Sequence, residues 1–507
     1  MASPERPMLN TLAGTAAAYG IEAGEISYGD ALRDVEARAR AFQAAGYAAG
    51  MRVALLLENR PSYFLTWLAL NSLGLSVVPI NPELRAAELD YLIGHSEPSL
   101  IISIPSRVAN LKAVTDTPIV EEGAPLPPPG SAGVVAEQRE GAEREAAVLY
   151  TSGTTGKPKG CVLSNTYFLM AGDWYNSLDG IVSLRDEGER MITPLPVFHM
   201  NAMAASFMGM LSVGGCLTVL DRFHPSTWWD DVRAARATCL HYLGVMPSIL
   251  MKAPEASNDK VHNVRFGFGA GIDPKLHEPF EERFGFPLCE GWAMTETGLA
   301  AHLTNNRDHR LVGASCLGSP TADVDIKLEM EPGRDVGELL VRRTGPEPRK
   351  GFFSHYYKDP KATLEAWAGG WFHTGDLVRR DAEGRYFFVD RKKNVIRRSG
   401  ENIAAVEVES ILMKHPAIIA AGVAAVPDEI RGEEVLACLV SDLNAEEIAV
   451  WAREQMAYYK VPGYIAFVDE LPLTPTQKIQ RAELKTLAAK LAPSAHDVRH
   501  LKKRRAA

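Results

Sequence analysis

The sequence predicts an α/β protein of more than one domain, and three observations predict it. The chain has 507 residues, more than one hydrophobic core usually holds. In its early part, short apolar runs alternate with segments of helical spacing, the signature of a mostly parallel sheet covered by helices. A Gly/Ser/Thr-rich stretch, Tyr150 to Gly160, then follows directly on the apolar run Ala146-Ala147-Val148-Leu149, which reads as a buried strand.

The elements follow in order. Ser27 to Gln43 sets Leu32, Val35, Ala39 and Phe42 at helical spacing. Met51 to Leu57 is a buried strand. Pro61 opens a helix that runs to Leu73 and stops at Gly74, since proline suits a first turn and glycine a last one. Leu75 to Ile80 is the next strand, then a helix near Ala86 to Ile93 and a strand from Ser99 to Ile104. Glu121 to Glu143 is rich in Pro, Gly and charge without any period, a surface excursion. Pro194 and Pro196 fix a non-helical entry to a helix beginning near Asn201. Cys239 to Pro247 is a strand and turn, with a helix from near Ser248.

Composition narrows the function classes. A net charge of −9 argues against a general nucleic-acid binder. The six cysteines are scattered with no CxxC pair, which fits a reducing cytoplasm and gives no metal site. No apolar run is long enough to cross a bilayer, and Met1 to Gly14 carries no signal-peptide pattern.

Tyr150 to Gly160 is the most chemical stretch. Its glycines let the backbone turn sharply and approach a ligand. Thr151, Ser152, Thr154, Thr155 and two lysines, Lys157 and Lys159, supply donors, and a polyphosphate suits such a loop. It is not a Walker loop, because two residues separate Gly153 from Gly156-Lys157 and Pro158 follows. Arg265 to Gly271 alternates glycines without the GxGxxG spacing, so a Rossmann dinucleotide site is poorly supported. In Cys289-Glu290-Gly291-Trp292-Ala293-Met294-Thr295-Glu296, Trp292 offers a stacking face, Thr295 a hydroxyl for phosphate, and Glu296 a hard oxygen ligand for Mg²⁺. Asp376, after a Thr-Gly turn, can accept two hydrogen bonds from vicinal hydroxyls. Taken singly, each has a plain structural reading: a surface turn, a helix-start pair, a packed histidine at His199, a solvated lysine at Lys478.

Together and in this order, the motifs resemble the adenylate-forming superfamily of acyl-CoA synthetases, peptide-synthetase adenylation domains and beetle luciferases. The resemblance covers nearly the whole chain. It implies a large N-terminal domain with parallel-rich sheets over residues 1–390, a hinge at 391–393, and a small mobile α+β domain over 394–507. It implies that a carboxylate is activated with ATP as an acyl-adenylate and then passed to a thiol, with ATP, Mg²⁺ and coenzyme A taken up. Thr151, Ser152, Gly153, Thr154, Thr155, Gly156 and Lys157 would hold the phosphates. Gly269, Ala270, Gly271, Glu290, Gly291 and Trp292 would surround adenine and the acyl carbonyl, with His199 as a gate. Thr295 would contact phosphate, Glu296 would carry Mg²⁺, Asp376 would hold ribose and Arg391 would reach the nucleotide. Lys393 matches the hinge position, Gly400 leaves room for the pantetheine arm, and Lys478 matches the catalytic lysine. Three departures stand out: Trp292 where Tyr is more common, Ala293 for Gly, and Gln477 for the Gly before Lys478.

The resemblance leans towards the branch of carnitine or crotonobetaine CoA ligases. Bulky residues at Phe207, Met246, Phe268, Trp292 and Met294 suggest a small or medium acid. The expected enzyme is a free-standing acid–CoA ligase. The alternative is a stand-alone adenylation enzyme that loads a carrier protein, and a homodimer is the default assembly.

Overall fold

The computed structural model describes residues 3–130, 141–151, 157–307, 310–330, 336–391, 395–472, 479 and 481–502. The early helices begin where their caps direct. Ser27 accepts a hydrogen bond from the Asp30 N–H and starts Tyr28–Ala44. Pro61 occupies the first turn of Pro61–Ser72, where its missing N–H costs no helical bond. That helix buries Tyr63, Phe64, Leu65, Trp67 and Leu70, so it runs through the core and does not merely cover it. Phe207 packs on it, stacked on Phe64 with centroids 4.3 Å apart and 5.7 Å from Trp67.

Among the described residues, three sheets carry the chain. In a seven-stranded sheet, Arg52–Leu56 lies between Ser76–Pro79 and Leu100–Ser103, parallel to both. Ser76–Pro79 also pairs in parallel with Glu145–Thr151, which returns antiparallel as Lys159–Ser164. Ser152, Gly153, Thr154, Thr155 and Gly156, the middle of the expected phosphate loop, lie outside the described residues. A thirteen-stranded sheet runs parallel from Arg190–Thr193 through Cys239–Leu243 and Phe266–Ala270 to Leu288–Met294. It then turns tightly at residues 295–297 into antiparallel Gly298–Thr304. The parallel reading therefore holds in the middle of both sheets, and their margins are antiparallel except at Ile119–Glu121, which pairs in parallel with Leu100–Ser103. Where the chain reverses in a few residues it has no room for a crossover helix.

The segment after residue 395 has its own apolar core. Ile396, Val408, Leu439, Ile448 and Ile465 are buried together, beneath a third sheet and helices Ala405–Leu412 and Ala445–Gln455. This is the smaller α+β body. Lys392, Lys393 and Asn394 precede it and lie outside the described residues, as do residues 473–478, which include Gln477 and Lys478.

Two local expectations need correction. The helix after Cys239–Leu243 starts at Val245, earlier than Ser248, with Pro247 still inside its first turn, where it breaks no helical bond. Residues Asn201–Phe207 wind as a π-helix before the α-turn Met208–Ser212. In a π-turn, residues five apart share a face. Asn201 and Ser206 thus both reach His241 Nδ1, with Oδ1 at 3.2 Å and Oγ at 2.7 Å.

Phe207 is 1% exposed and joins the π-wound segment to the core helix. Phe207→Ala is expected to cost about 3–5 kcal/mol of unfolding free energy by urea titration, the usual range for such a cavity. A loss below about 1 kcal/mol would show that this stack does not hold the segment in place.

Candidate active site

The cleft lies where the strand ends of the large body meet the small body, and it encloses about 1520 Å³. The described residues of the expected nucleotide and acyl motifs line it, except Arg391; of the bulky residues expected to limit the acid, Phe268, Trp292 and Met294 line it, whereas Phe207 and Met246 are packed in the core and do not. Thr151 and Lys157 stand on one side; Gly269, Ala270 and Gly271 on another. Glu290, Gly291, Trp292, Thr295 and Glu296 come from one strand and its turn. His199, Asp376 and Gly400 complete the set. Arg391 is paired with Asp376 across an antiparallel ladder, which fixes its backbone beside the site.

The strand Phe266–Ala270 ends in small residues because backbones cross there. A Cβ on Gly244 would lie 1.6 Å from the Gly271 carbonyl oxygen, so only glycine fits. That crossing brings the turn after Leu243 against the Gly269 to Gly271 turn.

Of the buried carboxylates that line the cleft, three belong to the expected nucleotide motifs. Asp376 is fully buried and accepts a 2.7 Å hydrogen bond from the Trp292 indole N–H. Trp292 thus does more than present a ring: its edge is fastened to the expected ribose acceptor. Glu290 accepts from the Gly271 N–H at 3.1 Å, and burial raises its pKa above the usual carboxylate range. Glu296 accepts from the Tyr356 hydroxyl at 2.9 Å. Burial, with the Glu296 charge beside it, drives the Tyr356 pKa far upward, so the hydroxyl stays protonated and donates. The Thr295 carbonyl accepts from Tyr167 at 3.0 Å, which pins the turn. Mg²⁺ prefers one or two carboxylates plus phosphate oxygens and water. Glu296, supported by Tyr356 and placed next to Thr295, fits a magnesium ion that arrives with a nucleotide.

Lys157 sits with its ammonium 4.9 Å above the Tyr91 ring, and Tyr91 donates to the Pro158 carbonyl at 3.0 Å. The helix Ala86–Ser96 thereby braces the described end of the loop.

The small body enters from above. Gly400, at φ +89°, lies against Leu243, where a Cβ would come within 2.3 Å of Cδ1. Glu401 Oε2 is 3.5 Å from His199 Nε2, an ion-pair distance without hydrogen-bond geometry. Beside this tip, Lys460 bridges Glu88 and Glu407, each at 2.7 Å, with all three side chains at most 9% exposed. Asn81 donates to the Tyr459 hydroxyl at 3.1 Å.

The floor of the cleft carries two histidines the sequence reading did not single out. His241 is held by Ser206, Asn201 and the Tyr175 hydroxyl at 3.0 Å. His302 lies in Gly298–Thr304, its ring 4.2 Å from that of Trp174. A histidine inside an otherwise apolar strand, six residues after Glu296, was the available signal. Tyr356 gave none, because its partner lies sixty residues away.

The chain is similar over most of its length to known proteins of one family. The family model described as AMP-binding enzyme matches residues 8–356, and that described as AMP-binding enzyme C-terminal domain matches 407–478. A crotonobetaine/carnitine–CoA ligase of Salmonella heidelberg (strain SL476) is 30% identical over 491 residues, covering 91% of this chain and 93% of the relative. The amide bond synthetase McbA of Marinactinospora thermotolerans superposes with a TM-score of 0.80 at 24% identity, covering 96% of this chain and 98% of that one. A malonyl-CoA ligase, solved as a ternary product complex with methylmalonyl-CoA and AMP, has a TM-score of 0.73 at 25% identity, covering 92% and 97%.

Burial pushes both His241 and His302 down to about 3. An unfolded histidine titrates near 6.5. Below that pH the unfolded chain takes up protons that the native state refuses, so the stability they contribute is complete above about 6.5 and is lost as pH falls towards 3. With His302→Phe, the slope of unfolding free energy against pH between about 6 and 4 should flatten by about 1.4 kcal/mol per unit. Equal slopes in urea titrations of both proteins would refute a buried neutral His302.

Proposed function

The chain belongs to the AMP-binding enzyme family and is an ATP-dependent, AMP-forming acid–CoA ligase, and we propose that this single cleft runs both half-reactions on a small or medium carboxylic acid. One observation carries the reading. Described residues of every expected motif in the large body face one space, and the Gly400 tip of the small body reaches into the same space beside His199.

In the first half-reaction a carboxylate oxygen attacks the α-phosphorus of ATP, and pyrophosphate leaves. The protein has little covalent work to do here; it must align the reactants and neutralise growing charge. Asp376, steadied by Trp292, receives the ribose hydroxyls. The Gly269 to Gly271 turn and Trp292 take the adenine, and Lys157 with the 151–156 loop takes the phosphates. Glu296 would hold the magnesium that arrives with ATP, and Thr295 would contact phosphate. Lys478 bridges the reacting oxygens.

In the second half-reaction the CoA sulfur attacks the acyl carbonyl and AMP leaves. Gly400 keeps a side chain out of the path beside Leu243, where the pantetheine arm would pass. The two steps need different groups at one carbonyl, which suits a small body turning about Lys393. The contacts of Gly400, Glu401, Tyr459 and Lys460 with the large body support assigning the described arrangement to thioester formation. The six cysteines are all buried and free, which suits a reducing cytoplasm. Among the described residues, no helix is long and apolar enough to cross a membrane.

The test is direct. Purified protein with ATP, Mg²⁺ and a panel of monocarboxylates should form AMP only when acid and CoA are both present. No acid-dependent AMP would overturn the reading, and faster transfer to a carrier protein than to CoA would replace the acceptor.

Lys478→Ala should lower acyl-adenylate formation by roughly 10²–10³, by analogy with loss of a transition-state donor. Thioester formation from synthetic acyl-adenylate should stay near the parent rate. Equal losses in both half-reactions would remove Lys478 from the first step.

A further inference from the structure

We infer that the acid activated in this cleft is a monocarboxylate whose tail is uncharged and carries a hydrogen-bonding oxygen, read by His302. The inference rests on the ligase reading and names the substrate class of that same site.

His302 is 5% exposed, yet it lines the cleft. Its ring packs on Gly291, where a Cβ would come to 2.7 Å from Cε1 and 3.0 Å from Nε2. Trp174 backs it, and the Phe268 ring lies 5.7 Å away. The strand pleat turns Gly291 to the opposite face from Glu290 and Trp292. The His302 side of the strand is therefore screened from the Glu290 carboxylate.

The two floor histidines differ in one respect. His241 is saturated: Nδ1 meets Ser206 and Asn201, and Nε2 meets Tyr175. The His302 side chain makes no hydrogen bond among the described residues, and its Nδ1 is buried. Burial alone depresses both imidazoles, with no charged group near enough to contribute. This floor is polar, neutral and short of one partner.

Each class of acid meets it differently. A distal carboxylate would be buried without a counter-charge, the costliest outcome, whereas a quaternary ammonium would meet the ring faces of Trp174 and Phe268 yet leave His302 unpaired. A hydrocarbon tail fills the space but leaves His302 unpaired. A hydroxyl or carbonyl oxygen satisfies it, because a neutral imidazole can donate or accept. Sites built to hydrogen-bond a substrate reject the analogue lacking that group more strongly than they count methylenes.

The experiment is acid-dependent ATP–pyrophosphate exchange with the full-length protein. The four probes are 5-oxohexanoate, its hydrocarbon isostere 5-methylhexanoate, glutarate and 4-(trimethylammonio)butanoate. The expected kcat/KM favours the oxo acid over the isostere by about ten-fold, the scale of one unpaired buried polar group. Glutarate should fall at least about 100-fold below the isostere, and the betaine, which offers His302 no hydrogen bond, about ten-fold below the oxo acid. His302→Phe, which keeps a ring against Trp174, should erase the oxo preference, while a circular dichroism spectrum matching that of the parent reports correct folding. The inference is overturned if glutarate matches the neutral acids, if the betaine matches the oxo acid, or if His302→Phe leaves the oxo preference intact. Exchange with none of the four acids, nor with any other monocarboxylate, sinks the ligase reading itself and this inference with it.

Discussion

Three buried carboxylates of the cleft, Asp376, Glu296 and Glu290, accept hydrogen bonds from neutral donors, and the nucleotide side of the site is arranged around them. Asp376 takes an indole N–H, Glu296 a phenol O–H and Glu290 a backbone N–H. A neutral donor orients a carboxylate without cancelling its charge. An arginine or lysine in the same place would have left less for a ribose or a metal ion to meet. The arrangement is expensive to build, because each carboxylate gives up water for a few fixed bonds. It also explains why the supporting residues are large and immobile: Trp292 is 5% exposed and Tyr356 8%.

The fold was legible where local rules decide it. Ser27 as a cap, Pro61 in a first turn and Gly74 after a last one mark boundaries through short-range chemistry, and the structure keeps them. The antiparallel margins were not legible, since period-two patterning does not reveal strand direction. The π-winding of Asn201–Phe207 was hidden for a related reason. It answers to His241, a residue forty positions away, and no local propensity announces it.

The site divides in the same way. Residues inside contiguous motifs, from Glu290 to Glu296, were visible as a group because their spacing is local. Tyr356, His241 and His302 were not, because each acquires its meaning only from a partner brought near by the sheet. Trp292 was read for its ring face, and the structure adds its N–H. The loop glycines, the hinge lysine and Lys478 fall outside the described residues, so their reading still stands on the motifs alone.

Lys460 sits between two acids drawn from different parts of the chain, Glu88 and Glu407. Tyr91, one turn beyond Glu88, grips the backbone at Pro158. Any swing that parts the two bodies must rehydrate Glu88 and leave the ammonium with a single counter-ion. The helix that loses this partner is the same one that steadies the mouth of the phosphate loop. Unlatching and product exit therefore share a mechanical strut, and because the clasp is buried, dissolved salt reaches it only once the bodies have begun to part.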